Sequence, residues 1–227
     1  MKQEKSRVDL TLPVVSPEID RYMRALVSST DHSVLLEMEA YAQQHNFPIV
    51  NRLVGIFLEM QAKMIQAKRV FEFGSGYGYS AYWFAKAVGA EGEVICSDMN
   101  PANRAAAEKY LTTVDLWQRI DFKVEKAQDA FTKTKGLFDI CYNDADKEGY
   151  PEIWQMAKNR IRSGGLYLAD NVLWSGRVAL QNDLNTTDSV SESTKAIMQH
   201  NQMIFNDAEF DAFINPTRDG VIVARRK

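Results

Sequence analysis

Residues 69–80 read RVFEFGSGYGYS. A short apolar strand, RVFEF (69–73), runs directly into Gly74, Gly76 and Gly78, and a helix is expected from about Ser80. Glycines allow a tight turn and let the backbone approach a ligand with no Cβ in the way. The helix start that follows offers free N–H groups. Strand, glycine turn and helix together open a parallel α/β sheet.

The rest of the chain repeats that alternation. EVICSD (93–98) is a second strand, ended by Asn100-Pro101, and a helix is expected from about Ala102 to Thr113. IDFKV (120–124) and LFDICYN (137–143) are the next strands, followed by a helix from Glu152 to Ile161. Ser163-Gly164-Gly165 turns the chain into LYLAD (166–170), and a polar loop at 181–192 precedes a helix ending near Phe205. FDAFIN (210–215) and GVIVARR (220–226) are joined through Asp219-Gly220. No helix separates these last two strands, so they should pair as an antiparallel hairpin on a mainly parallel sheet with helices on both faces.

Upstream of residue 69 the pattern is helical. Segments are expected from Pro17 to about Ser28, from Asp31 to about Gln44, and from Pro48, where Val50, Leu53, Val54, Phe57, Met60 and Met64 recur at helical spacing. These helices should cap the C-terminal ends of the strands, where such sheets bind ligands. The expected organisation is one domain over 1–227, with a helical cap at 1–47 and a ligand-binding core at 48–227.

Composition bounds the function. The chain has 227 residues, 45% hydrophobic and 25% charged, which excludes a disordered chain. A net charge of −3 argues against nucleic acid as the main partner. The densest positive stretch, Lys123, Lys126, Lys133 and Lys135, reads equally well as a solvated helix face. Cys96 and Cys141 both lie in apolar runs, as buried strand residues do, which suits a reducing, cytoplasmic compartment. MKQEKSRVDL lacks the apolar stretch of a secretion signal, and no segment is apolar enough to span a membrane.

The glycine loop narrows the ligand. A dinucleotide fingerprint would be G-x-G-x-x-G, but counting from Gly74 its last glycine falls on Tyr79. The spacing here is G-x-G-x-G, with Glu72 two residues ahead. That resembles motif I of the class I S-adenosylmethionine-dependent methyltransferases. A pyrophosphate wants several N–H donors at a helix start, whereas S-adenosylmethionine has no phosphate and carries a sulfonium cation, so it tolerates an acid nearby. Asp98 ends the second strand 24 residues after Gly74 and can accept both hydroxyls of a ribose. An aspartate there also caps a turn. Ala127-Gln128, after the third strand, lies where an adenine would be met.

The second signal is acidic. Asp144-Ala145-Asp146-Lys147 follows the fourth strand and Asp170-Asn171 follows the fifth. Adjacent parallel strands end at the same sheet edge, so Asp144, Asp170 and Asn171 should meet despite their separation in sequence. Two carboxylates and an amide oxygen form an all-oxygen set suited to Mg²⁺, and also to Mn²⁺ or Ca²⁺. His32, His45 and His200 are scattered and lack partners at zinc spacing. Taken singly, each of these Asp and Asn residues is also what a strand end uses to cap its turn.

The strings NDADKEGYPEIW (143–154) and RSGGLYLADNVLWSGRV (162–178) resemble the metal-dependent caffeoyl-CoA and catechol O-methyltransferases and their bacterial relatives. The likeness runs from about Val50 to the Asp-Gly turn near the C-terminus. It implies a Rossmann-like seven-stranded fold, and a metal held by Asp144, Asp170 and Asn171, with Lys147 as base on the acceptor hydroxyl. It also implies that Val50, Glu72, Gly74, Ser75, Ser80, Asp98, Ala127 and Asp144 contact S-adenosylmethionine, with Gln128 beside Ala127, and that Trp174 lies by the substrate mouth. A vicinal-diol aromatic acceptor and a homodimer are further implications. Some bacterial relatives methylate a hydroxylated uridine in tRNA, so an RNA acceptor stays open, and an NAD(P)-dependent oxidoreductase on a similar sheet is a more distant alternative. The chain departs from the pattern at GSGYGYS, where many relatives have G-T-x-T-G-Y-S, and at Asn143, where an apolar residue is usual. The first 47 residues and loop 175–192, which should shape the acceptor pocket, match poorly.

Overall fold

A computed structural model describes residues 11–27, 33–180 and 191–227. The strands β1 (Arg69–Phe73), β2 (Glu93–Asp98), β3 (Ile120–Val124), β4 (Phe138–Asn143), β5 (Ile161–Ala169), β6 (Phe210–Asn215) and β7 (Val221–Arg226) form one sheet in the order β3-β2-β1-β4-β5-β7-β6. The β1–β5 pairings are parallel, and β7 runs antiparallel to both β5 and β6. The chain winds one way from β1 to β3 and the other way from β4 onward. That reversal opens a crevice between the C-terminal ends of β1 and β4, where open α/β sheets bind ligands.

The two-residue pleat sorts side chains into two cores. Val70, Val94, Ile140 and Leu166 face a layer built from α3 (Arg52–Met64), α4 (Tyr79–Val88) and α5 (Pro101–Thr112). Phe71, Phe73, Ile95, Cys141 and Tyr167 face α6 (Ala127–Lys133), α7 (Tyr150–Ala157) and α9 (Glu192–Phe205); α8 (Arg177–Leu180) is a single turn before α9. Phe71, Phe73, Phe131 and Phe138 interlock with centroids 4.7–5.5 Å apart. Each such buried ring stabilises the fold by about 1.5–3 kcal/mol. Both cysteines are free and buried.

Ahead of the sheet lie α1 (Pro17–Val27) and α2 (Ser33–His45). The expected helix start at Asp31 and most of the polar loop at 181–192 fall outside the described residues. The α2 helix does cap the strand ends: Tyr77 and Tyr79 of the glycine loop donate their hydroxyls to Met38 O (2.9 Å) and Glu39 Oε1 (2.6 Å). In contrast, α3 lies alongside α4, so closely that a Cβ on Gly55 would strike the Trp83 indole. It also starts at Arg52 and not at Pro48, because the Asn51 side chain accepts from Val54 N (3.0 Å) and caps the first turn.

Other boundaries differ for equally local reasons. Strand β5 begins at Ile161 and carries Gly164-Gly165 within it; its register against β4 shifts between Phe138 and Ile140. Helix α7 starts at Tyr150, with Pro151 in its first turn. The seven-residue α6 has no counterpart in the sequence reading; it is too short to display a helical period. Among the described residues, no helix is long and apolar enough to cross a membrane.

Candidate active site

The crevice is lined by the loops after β1 and β4. After Phe73 the chain turns through Gly74, Gly76 and Gly78, all at positive φ. A Cβ on Gly74 would lie 2.8 Å from the Asp144 carbonyl oxygen and 2.9 Å from Ala145 Cα, so glycine lets the acid loop rest directly on the glycine loop. Gly78 precedes α4, and no side chain caps that helix start. Its first N–H groups are therefore available to a ligand.

Glu72 is fully buried beneath this loop. Its carboxylate accepts from Ser75 Oγ (3.0 Å) and Ser80 Oγ, and burial pushes its pKa up to about 8 against those two hydrogen bonds. Glu72 thus braces the loop from inside, and both serines spend their hydroxyls on it. Asp98 closes β2, and its Oδ1 accepts from Asn100 N (2.8 Å) and Asn103 Nδ2 (3.0 Å), which leaves Oδ2 for a ligand hydroxyl. Ala127 and Gln128 begin α6, where Gln128 Nε2 donates to Glu152 Oε2 (3.0 Å). Val50 is buried in the extended lead-in to α3.

The acid cluster follows from sheet register. Asn143 pairs with Ala169, Asp144 N donates to Phe73 O (2.9 Å), and Asp170 N donates to Asn143 O (3.1 Å). Asp144 and Asp170 therefore sit side by side, one residue beyond neighbouring strands. Asp170 is fully buried. Its Oδ2 accepts from Arg218 Nη1 at 2.7 Å, while Oδ1 makes no hydrogen bond of good geometry; the Asn171 N–H adds a weaker pull on the carboxylate. Burial, reinforced by the charge of Asp144 and opposed by Arg218, raises its pKa to about 7.

Asn171 takes a left-handed conformation (φ 59°), and its Nδ2 lies 3.4 Å from Asp219 Oδ2, which leaves the amide oxygen for another ligand. Lys147 bends back over the cluster. Its Nζ donates to Asp144 Oδ1 (3.1 Å), Ala145 O (3.3 Å) and Tyr150 OH (2.7 Å), and Tyr150 OH in turn donates to Asp170 O (3.0 Å). Trp174, also left-handed, is partly buried against the hydrophobic core under α6, α7 and α9, with the Arg177 guanidinium 5.5 Å from its ring centre.

An orphaned, buried carboxylate oxygen beside a second carboxylate and an amide oxygen fits a hard divalent cation. The glycine loop, the uncapped helix start and Asp98 fit a nucleoside with a compact polar tail. Sequence reasoning missed Arg218, Tyr150 and Asp219. The Asp-Gly turn was visible, but nothing in it announced that Arg218 reaches back to a residue 48 positions away. An open cleft of about 630 Å³ lies between α1, α2 and residues 46–52; Ile49 lines it, and the Ile49 carbonyl accepts from Arg218 Nη2 (3.2 Å).

Comparison with known proteins gives a consistent result. Residues 20–227 match the O-methyltransferase family. A catechol O-methyltransferase of Niastella koreensis is 30% identical over 201 residues, covering 86% of this chain and 88% of the relative. A caffeoyl-CoA O-methyltransferase of Medicago sativa is 26% identical over 204 residues, covering 86% and 83%. The crystal structure of an O-methyltransferase from Bacillus cereus in complex with SAH shares the fold, with a TM-score of 0.80 at 23% identity over 92% of this chain and 97% of the other.

Proposed function

The chain belongs to the S-adenosylmethionine-dependent O-methyltransferase family, and from that premise we propose that it is a divalent-metal-dependent enzyme methylating one hydroxyl of a vicinal-diol aromatic small molecule. The single observation that carries the metal is the unpartnered Oδ1 of fully buried Asp170 beside Asp144 and Asn171, and the catechol- and caffeoyl-type relatives support the diol. A buried acceptor of this kind is costly unless a cation completes it.

Asp144, Asp170 and Asn171 would hold the ion. When bound, it would supply Lewis-acid polarisation of two adjacent hydroxyls and lower the pKa of the one to be methylated. The rest is work for the protein's own side chains. Lys147, held by Tyr150 and Asp144, takes the proton of the acceptor hydroxyl. Tyr150 keeps the Lys147 amine, neutral when it accepts that proton, over the cluster and ties it to the backbone of Asp170. The backbone of the glycine loop from Ser75 to Ser80, with Val50, Asp98, Ala127 and Gln128, holds the methyl donor, and Glu72, bonded to the Ser75 and Ser80 hydroxyls, keeps that loop rigid from below. Contact between the two loops at Gly74 keeps the reacting groups together, and such positioning is worth up to about 7–11 kcal/mol. Trp174 and the α1–α2 cleft would flank the acceptor.

The test is a methyl-transfer screen over catechol- and caffeoyl-type acceptors, with EDTA treatment and add-back of Mg²⁺, Mn²⁺ or Ca²⁺. Turnover of a small diol that falls with EDTA and returns with Mg²⁺ is expected. Chelator-resistant turnover would overturn the metal assignment, and activity on hypomodified tRNA alone would overturn the acceptor class.

A further inference from the structure

Arg218 enters the acid cluster from the turn between β6 and β7. Its backbone is left-handed, at φ 55°, a conformation that disfavours a side chain-bearing residue. Its guanidinium is fixed at both ends of the fork. Nη1 donates to Asp170 Oδ2 (2.7 Å) and Nη2 to the Ile49 carbonyl (3.2 Å), so the group cannot swing away without losing a backbone partner as well. The neighbouring Asp219 carboxylate is engaged by Asn171 Nδ2 and by the Ser175 amide. The turn therefore sets both side chains of the Asp170-Asn171 pair.

The consequence is one of denticity. A guanidinium on one carboxylate oxygen takes one of its lone pairs and sets a positive charge beside it, so a metal meets competition at that oxygen and not at the other. Mg²⁺ and Mn²⁺ take six single-oxygen ligands in near-octahedral geometry, whereas Ca²⁺ takes six to eight and readily draws both oxygens of one carboxylate. We propose that Arg218 is an ion-selectivity residue: by competing for Oδ2 and so favouring donation from Asp170 through Oδ1, it makes the site prefer small octahedral dications to calcium. This rests on the divalent-ion site proposed above.

The test is direct ion binding. Mn²⁺ uptake by the full chain, with S-adenosylhomocysteine present, is followed by electron paramagnetic resonance of the free ion, then reversed with Mg²⁺ or Ca²⁺. Wild type is compared with Arg218→Gly, whose backbone suits the positive φ, and with Arg218→Met, which keeps the aliphatic stem. Removing the guanidinium charge alters the affinity of both dications alike, so the calcium-to-magnesium ratio isolates denticity. Both variants should shift that ratio toward calcium by about tenfold. An unchanged ratio in a folded variant that still binds Mn²⁺ overturns the role of Arg218 and leaves the metal site standing. Wild type that takes up no Mn²⁺ overturns the site itself, and the proposal with it.

Discussion

Lys147 keeps its Nζ 3.1 Å from Asp144 Oδ1 and 2.7 Å from Tyr150 OH, with only 13% of its side chain exposed. A general base contributes about 10²–10⁴-fold. Lys147→Met should therefore lower kcat by about that factor and leave the dissociation constant for the donor nearly unchanged. Full kcat across the pH range in steady-state assays would exclude the base role. At this scale the sequence was legible where chemistry is written in a short string. Asp144 and Lys147 lie three residues apart, and Asp170-Asn171 ends the next strand, so strand alternation alone brings them to one edge. Arg218 was not legible. Its partner is Asp170 across the molecule, and the pairing depends on one left-handed residue in a turn.

Elements position these residues through buried polar contacts. His200 on α9 meets Tyr167 OH on β5 (3.0 Å), Asn143 Nδ2 donates to the same hydroxyl (3.1 Å), and Asn143 Oδ1 accepts from Ala145 N (3.2 Å). The unusual Asn143 thus links α9 to the acid loop. Burial lowers the His200 pKa to about 4, and nearby Lys147 adds to the effect. The unfolded chain takes up this proton near pH 6.5 and the folded chain does not until near pH 4. Stability from this group is therefore fully present above about pH 6.5 and is lost as pH falls toward 4, by up to about 3 kcal/mol. His200→Gln should remove that part of the slope when urea unfolding is measured from pH 7 to 4; a slope identical to wild type would contradict it. Gly74→Ala would force a Cβ to within 2.8 Å of the Asp144 carbonyl. A folded protein is expected, with S-adenosylhomocysteine affinity lowered about tenfold or more by calorimetry, and unchanged affinity would contradict the loop contact. Strands were the readable elements, since β1, β2, β3 and β6 stand where their apolar runs stand. Helix ends were not, because α3 obeys its Asn51 cap and α6 is two turns long.

The whole molecule places its chemistry where the sheet reverses direction; strand alternation announces the parallel sheet, whereas the order β3-β2-β1-β4-β5 that makes the reversal is seen only in the fold. The surface is less legible, since nothing local says what covers it. Ile19, Tyr22 and Leu26 on α1 are 56%, 66% and 63% exposed and recur at helical spacing. The proposed homodimer should give light-scattering masses near twice the 25.8 kDa of one chain, and Tyr22→Asp with Leu26→Asp should lower them toward one chain if α1 lies in the interface. Wild type running as a monomer would remove the dimer. The central claim is that Asp144, Asp170 and Asn171 converge on one divalent ion beside the methyl donor. Anomalous diffraction from a crystal grown with Mn²⁺ and S-adenosylhomocysteine tests it most directly. The account predicts one strong peak about 2.1–2.3 Å from an oxygen of each of the three residues, with Asp170 Oδ2 still on Arg218. A crystal that binds the nucleoside but shows no peak there, or whose three side chains splay apart, would contradict it.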